Sequence, residues 1–314
     1  MTAPGSIGTR LLVFPEHEGL RLDQFLAAAT SLSRRAARSL IGAGGVARNG
    51  SPTRVQSRPV AAADVIDVAR PPDDLGVPPR PDLPPLTVLH RDRWLVAVAK
   101  PAGVLSQPSS RPDRDLALDQ LTALHLAVAD GAPPFLRLVH RLDRVTTGVV
   151  LFAGNPQATA PLARAWADRT VDRRYLAVVE GRPAEPSFVV DRPIGRDPDH
   201  RWRFRVAGDG RDARTEVRIV EPLDDDMTLV ECRLDTGRTH QVRVHLSHCG
   251  HPVVGDRLYG AGRPDLAPRP LLHAAILELP HPKTGDTLRL VAPIPDDMAP
   301  YVPDGADATL GAGD

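Results

Sequence analysis

Apolar positions along the chain change period several times, and each change predicts an element. Leu22, Phe25, Leu26 and Ala29 recur at helical spacing and predict an amphipathic helix. Ser33 then reads as the N-cap of a second helix that runs through Ile41 and is closed by Gly42 and Gly44. Arg34, Arg35 and Arg38 crowd the N-terminal half of that second helix. Val46-Ala47-Arg48-Asn49-Gly50 predicts a strand entering an Asn-Gly hairpin turn, and Val65–Val68 a short closing strand. Residues 1–70 therefore read as a small α/β module. Residues 71–85 are too rich in proline for a helix or a central strand and read as an extended linker.

From 86 to 300 the period shortens. Runs at 95–98, 149–152, 175–179, 215–220, 229–234, 242–246 and 287–291 carry the β-branched and alternating pattern of strands. Helical patterns at 116–129 and 157–167 separate some of them. The expected fold class is α+β: a catalytic domain on a mixed, largely antiparallel sheet with flanking helices, plus the N-terminal α/β module. In the run at 242–246, Gln241, Arg243 and His245 are expected on one strand face and Val242, Val244 and Leu246 on the other. Residues 301–314 read as an acidic, disordered tail.

Composition narrows the class. The 314 residues are 42% hydrophobic and 25% charged, an ordinary globular balance. No run of eighteen apolar residues occurs, and the chain start lacks a secretory pattern, so a cytoplasmic protein with no membrane partner is expected. Cys232 and Cys249 are too few for a disulfide framework and lack zinc-site spacing. Net charge is zero, yet residues 1–70 hold nine arginines against five acidic residues, while 296–314 hold five aspartates and no cation. An acidic tail can cancel a basic face in the sum and leave it basic in space. Lysine occurs only at 100 and 283, so nearly all cations are arginine, which forks onto phosphates and stacks on bases. Arginine-favouring codons would give the same excess.

The densest chemistry lies in Val139-His140-Arg141-Leu142-Asp143-Arg144-Val145-Thr146-Thr147-Gly148, which enters an apolar run. A carboxylate between two arginines, in a polar turn before a buried strand, is a candidate reactive group held still by its scaffold. A structural ion pair explains Asp143 taken alone better. Thr236-Gly237-Arg238-Thr239-His240-Gln241-Val242-Arg243-Val244-His245 adds three polar side chains that are costly to bury without partners. Tyr175 stands at a strand entrance, where packing is the commoner role.

The order of these segments resembles the RluA-type pseudouridine synthase family. The matching residues are Lys100-Pro101-Ala102-Gly103, His140-Arg141-Leu142-Asp143 with Thr146-Thr147-Gly148, and Arg173-Arg174-Tyr175. They continue with 236–245, Gly255-Asp256-Arg257-Leu258-Tyr259-Gly260 and Leu272-His273-Ala274. Residues 1–70 resemble the RNA-binding module shared by a small-subunit ribosomal protein and many RNA-modifying enzymes. That match rests on Arg21-Leu22-Asp23-Gln24-Phe25-Leu26, Ser33-Arg34-Arg35, Ile41, Val46 and Asn49-Gly50. It departs at Ala63-Asp64, where the module usually has Gly before Asp.

The resemblance implies isomerisation of uridine to pseudouridine in structured RNA, ribosomal RNA ahead of transfer RNA, by a monomeric enzyme without cofactor or metal. It implies Asp143 as the catalytic carboxylate, Tyr175 as the aromatic that stacks on the target base, and Arg243 as the cation that pairs with the Asp. It also implies Arg141 as the residue that rearranges RNA around a flipped nucleotide. His140, Thr147, Arg238, His240 and Gln241 are expected at the substrate, and Arg34, Arg35 and Arg38 on RNA. Thr147, Arg173 and Gln107 depart modestly from the family's usual Ser, Lys and His. Whether Asp143 attacks the sugar or removes a sugar proton is open, and no residue identifies itself as the acceptor of the carbon-5 proton.

Two rival readings remain. A non-catalytic RNA-binding protein of the same fold would not need Asp143, Tyr175 and Arg243 all in place. A metal-dependent hydrolase is suggested by His240, His245, His248 and His251, with Asp256 following, but on a strand His240 and His245 would face opposite sides, and neither a His-x-His pair nor a His-Glu-x-x-His pattern occurs.

Overall fold

The computed structural model describes residues 9–69, 85–108, 117–130, 134–260 and 265–303. The expected linker and tail lie almost wholly outside these. The chain divides into two compact units, 1–86 with 107–136 and 87–106 with 137–314. Segment 107–136, read from sequence as part of the second domain, groups with the first.

In the first unit, β1 (Thr9–Leu12), α1 (Leu22–Ala29), α2 (Arg34–Gly42), β2 (Val46–Arg48), β3 (Ser51–Pro52) and β4 (Val65–Val68) precede α3 (Leu118–Asp130). Ser33 caps α2 as expected, its Oγ accepting from the Ala36 amide at 3.2 Å. Asn49 and Gly50 both take positive φ, 51° and 74°, the conformation that turns β2 into β3. The sheet order is β1-β4-β2-β3, so β4 is central rather than closing, because the unpredicted β1 pairs its outer edge. Phe25, Leu26, Ile41, Val46, Ile66 and Val68 meet in one buried cluster. At the position of the Gly-to-Ala departure, Ala63 sits at φ 66°, a left-handed conformation that costs a residue with a Cβ about 1–2 kcal/mol.

In the second unit, β5 (Thr87–Arg91), β6 (Leu95–Lys100), β7 (Arg137–Leu138) and β8 (Thr147–Ala153) are followed by α4 (Pro156–Ala167) and β9 (Asp172–Glu180). Then come β10 (Ser187–Asp191), β11 (Ile194–Arg196), β12 (Phe204–Val206), β13 (Arg214–Leu223), β14 (Met227–Leu234), α5 (Gln241–His248), β15 (Leu272–Pro280) and β16 (Thr287–Val291). A ten-stranded sheet runs β10-β13-β14-β9-β15-β8-β6-β5, with β16 on β15 and β7 on β8. Only the β15–β8 contact is parallel; the sheet is mixed and largely antiparallel, with flanking helices, as expected.

Alternation along the strands divides the core. Leu176, Val178 and Leu229 pack in one cluster, while their neighbours Ala177, Val179 and Val230 pack in another. The parallel join needs Gly148: at φ 123° its missing side chain leaves room for the backbone of Ala274, which a Cβ would overlap.

One expected strand is a helix. Residues 242–246 belong to α5, whose Val242 and Leu246, one turn apart, both join the cluster beneath the sheet. The alternation misled because positions 242 and 246 satisfy both periods, and over eight residues packing outweighs β propensity. β15 was not expected as a strand, although it is the sheet's pivot and is buried along most of its length.

Candidate active site

Asp143 lies in the loop that leads from β7 into β8, and three internal contacts hold that loop. Lys100, at the end of β6, is only 1% exposed, and its Nζ donates to the carbonyls of Pro101, Arg144 and Thr146 at 2.9, 3.0 and 2.8 Å. Three acceptors match the three hydrogens of an ammonium. Burial pulls the Lys100 pKa down to about 7, with the charge of Asp143 opposing the fall and those of Arg269 and Arg144 adding to it. Ser106 Oγ donates to the carbonyl of Leu142 at 2.8 Å and accepts from its amide at 3.1 Å, bracing the residue before the aspartate. Arg144 Nε donates to the Gly103 carbonyl at 2.7 Å, while the Gly103 amide donates back to Arg144 at 2.8 Å.

Opposite Asp143, α5 presents Arg243. This guanidinium is nearly buried and forks onto Asp256, with Nε to Oδ2 at 2.7 Å and Nη2 to Oδ1 at 2.9 Å. Its remaining nitrogen, Nη1, reaches Asp143 Oδ2 at 3.4 Å. Asp256 has no solvent exposure and also accepts the amides of Leu258 and Tyr259 at 2.9 and 3.1 Å. The Tyr259 ring underlies the guanidinium, 5.0 Å from centre to Cζ. Burial depresses the Arg243 pKa, but the Asp256 hydrogen bonds and the two carboxylate charges raise it overall.

His240 caps α5 in a left-handed conformation, φ 58°, and this turns its ring toward the same carboxylate, with Nε2 3.8 Å from Asp143 Oδ2. Its Nδ1 meets the Tyr259 hydroxyl at 2.8 Å. That hydroxyl also accepts the Phe204 amide at 2.9 Å, so Tyr259 ties the His240 ring to the neighbouring strand beside Asp143. Burial lowers the His240 pKa, partly offset by the charge of Asp143.

Tyr175, on β9 opposite Cys232 and Ala274, packs its ring partly on the buried cluster. Burial pushes its hydroxyl up to about 12, with Arg173 lowering it and Asp143 raising it. Asp143, Arg243, His240 and Tyr175 thus come from β9, α5 and a loop about a hundred residues earlier than α5.

Of the other expected substrate residues, Thr147 and Gln241 are buried, His140 and Arg238 half-buried, and Arg141 exposed. Thr147 is buried, its hydroxyl 2.9 Å from His273 Nδ1 at the β8–β15 join. Gln241 is also buried and accepts from the Thr236 hydroxyl and the Arg238 amide while donating to Arg214 and Thr215. His140 stacks on Trp166, 5.2 Å between ring centres, and its Nε2 accepts the Leu151 amide at 3.2 Å. Burial, helped by Arg173, lowers His140 to about 3. Arg238 Nε donates to the Asp212 carbonyl at 2.8 Å. Arg141 is exposed beside Asp143.

In the first unit, Asp23 has no exposed side chain and gathers Arg21, Arg34 and Arg38 at 3.2, 3.4 and 2.7 Å; Arg34, Arg35 and Arg38 are all exposed. Burial would raise the Asp23 pKa, but hydrogen bonds from Arg38 and Arg21 bring it down to about 2.

Because 242–246 is helical, Gln241 and His245 share a face and both meet Thr215, while Arg243 points elsewhere, to the aspartates. The histidines do not converge: His245 bonds Thr215 and Arg192, and His251 bonds Glu180. Among the described residues no cluster of His, Cys, Asp and Glu is placed to hold a metal, and no helix is long and apolar enough to cross a membrane. Lys100, Ser106 and Tyr259 have no role in the sequence reading, and Asp256 enters it only beside the histidines of the metal reading. Lys100, Asp256 and Tyr259 stood in the segments that carried the resemblance; no local signal marked Ser106.

Comparison with known proteins gives the chain its family. The family described as RNA pseudouridylate synthase matches residues 94–248, and the S4 domain matches 20–66. A protein of Nitrosomonas europaea named ribosomal large subunit pseudouridine synthase D is 44% identical over 68% of this chain and 64% of its own length. A protein of Chloroflexus aurantiacus described as an uncharacterized RNA pseudouridine synthase is 39% identical over 92% of this chain and 90% of that one. The structure of human RNA pseudouridylate synthase domain containing 1 superposes with a TM-score of 0.59 at 28% identity, covering 70% of this chain and 88% of that one.

Proposed function

This chain belongs to the RNA pseudouridine synthase family and carries an N-terminal S4 domain, and we propose that it isomerises specific uridines of large-subunit ribosomal RNA, with Asp143 as the catalytic carboxylate. The observation that carries this reading is the placement of Asp143. It is partly exposed in a loop braced from beneath, 3.4 Å from a guanidinium fixed by a second, fully buried aspartate.

The reaction breaks the bond between ribose C1′ and uracil N1, turns the base, and joins C1′ to C5. N1 gains a proton and C5 loses one, so atoms and electrons balance without a redox partner, and the reading needs no cofactor. The target nucleotide must leave its stack, at a cost of a few kcal/mol. Tyr175 is the aromatic platform that offsets part of it, since one stacked base contributes about 1–3 kcal/mol. Arg243 and the His240 ring orient the carboxylate toward the sugar; whether it attacks C1′ or takes a sugar proton is left to kinetics. Arg141, exposed beside Asp143, steers the displaced RNA. Thr147, Gln241, His140 and Arg238 shape the site through their internal bonds.

Ribosomal RNA is favoured because a relative at 44% identity is named for the large ribosomal subunit, with transfer RNA as the second choice. In the first unit, Arg34, Arg35 and Arg38 on α2 serve the same RNA. A monomer acting in the cytoplasm fits this role.

Asp143→Asn tests the reading. Pseudouridine mapping of ribosomal RNA from cells lacking the gene should lose defined sites, and the wild-type gene but not the variant should restore them. RNA affinity and thermal midpoint should stay near wild type. Full restoration by the variant would remove Asp143 from the chemistry.

A further inference from the structure

Between β10 and β13 the chain leaves the main sheet as the two-stranded hairpin β11–β12, Ile194 pairing Val206 and Arg196 pairing Phe204. Six arginines lie in or beside it, at 192, 196, 201, 203, 205 and 211, and all six are exposed. Among the described residues none of them is joined to a carboxylate, although three aspartates, Asp197, Asp199 and Asp209, lie in the same stretch. Asp197, for example, spends an oxygen on the Asp199 amide at 3.1 Å. Several arginines elsewhere have carboxylate partners: Arg34 and Arg38 share Asp23, Arg214 has Glu216 and Asp235, and Arg218 has Glu231. Six unpaired guanidiniums within twenty residues repel one another, so the stretch is poised for an anionic partner.

The turn also carries Trp202, 61% exposed and, among the described residues, the most exposed of the large apolar side chains. The other two tryptophans, Trp94 and Trp166, pack against the core. Leaving an indole in water sacrifices burial energy. Arg201 lies over its ring, 4.8 Å from the centre, so cation and aromatic surface form one platform. Aromatic faces among unpaired arginines suit a single-stranded nucleic acid, whose bases stack and whose phosphates take the charge.

The hairpin is built into the wall of the Asp143 site. The Phe204 amide donates to the Tyr259 hydroxyl, and the Phe204 ring meets the His240 ring edge-on, 5.7 Å between centres. Trp202 is two residues away, at most about 7 Å of extended chain. We propose that the β11–β12 hairpin is an RNA-binding arm: its arginines hold phosphates flanking the target nucleotide, and Trp202 stacks on an unpaired base beside it. This rests on the RNA-modifying reading of the Asp143 site and adds to it a binding surface outside the S4 domain.

The test uses the full-length protein and a labelled twenty-nucleotide, uridine-containing single-stranded RNA. Trp202→Ala should weaken binding about 5- to 100-fold. Arg205→Gln/Arg211→Gln should reduce the slope of log affinity against log salt by about 1.4, two phosphate contacts at about 0.7 each. Quenching of tryptophan fluorescence on adding RNA should largely vanish in Trp202→Phe, a variant that keeps an aromatic ring and does not depend on a large cavity being tolerated. Wild-type affinity in Trp202→Ala, an unchanged salt slope, or undiminished quenching in Trp202→Phe would overturn the arm. Asp143→Asn separates the two readings. If it retains full isomerase activity while Trp202→Ala weakens binding, the catalytic assignment fails and the arm stands. If it loses activity while the hairpin variants bind normally, the arm fails and the catalytic assignment stands.

Discussion

Arg243 gives two of its nitrogens to Asp256, at 2.7 and 2.9 Å, and meets Asp143 only with the one left over, at 3.4 Å. The stronger partner is therefore the fully buried aspartate, Asp256, and not Asp143. Asp256 fixes the guanidinium plane, and that plane decides where the third nitrogen points.

Asp256→Asn tests this division of labour. It keeps the shape but removes one acceptor and the charge that the fork answers, leaving a buried guanidinium half paired. Single-turnover rate should fall about 10- to 100-fold, as losses of outer-shell partners do, with RNA affinity within about twofold of wild type. The variant should also be less stable by about 3–5 kcal/mol in urea. A wild-type rate would mean that Asp256 does not aim Arg243.

Lys100 should matter through the loop it holds. Lys100→Met keeps the length of the side chain and removes all three donors, leaving three loop carbonyls without that partner. Unsatisfied buried acceptors cost about 1–3 kcal/mol. A lower melting temperature and a slower single-turnover rate are expected together. A slower rate with an unchanged melting temperature would instead point to the ammonium's charge beside Asp143.

Acid should destabilise the second unit through His140. Its folded pKa of about 3 lies below the ordinary 6.5, so between these values the unfolded chain binds more protons than the folded one. Stability then falls as pH drops from 6.5 toward 3, by up to about 1.4 kcal/mol per pH unit. His273, lowered to about 4 by burial, acts in the same sense down to that pH. In urea titrations at pH 7 and pH 5, His140→Gln should show a smaller difference between the two than wild type. An equal difference would mean that His140 is not the group taking up the proton.

Ala63→Gly should stabilise the first unit. At φ 66° glycine avoids the Cβ clash that alanine suffers, at a smaller cost in unfolded-chain entropy. A gain of about 0.5–1 kcal/mol is expected by thermal denaturation. A loss would show that the Ala63 methyl, which is buried, contributes more by packing than its backbone costs.

Local pattern alone determined much of this protein. Ser33 and the spacing of Leu22, Phe25 and Leu26 gave the first two helices because caps and helical faces are written within one or two turns. Asn49-Gly50 gave its hairpin for the same reason. The fold class and the identity of Asp143, Tyr175 and Arg243 as candidates also came from sequence, the latter from the order of several segments and not from any one.

The tertiary structure decided what depended on distant partners. Gln241–His248 is a helix because Val242 and Leu246 are drawn to one cluster, which no eight-residue alternation reveals. β15 lies at the centre because Gly148 admits the backbone of Ala274. The support of Asp143 by Lys100, Ser106, Asp256 and Tyr259 spans up to about 120 residues of chain, and hydrogen bonds at that separation leave no local period to read. Sequence could name the carboxylate; only the fold could say which groups hold it in place.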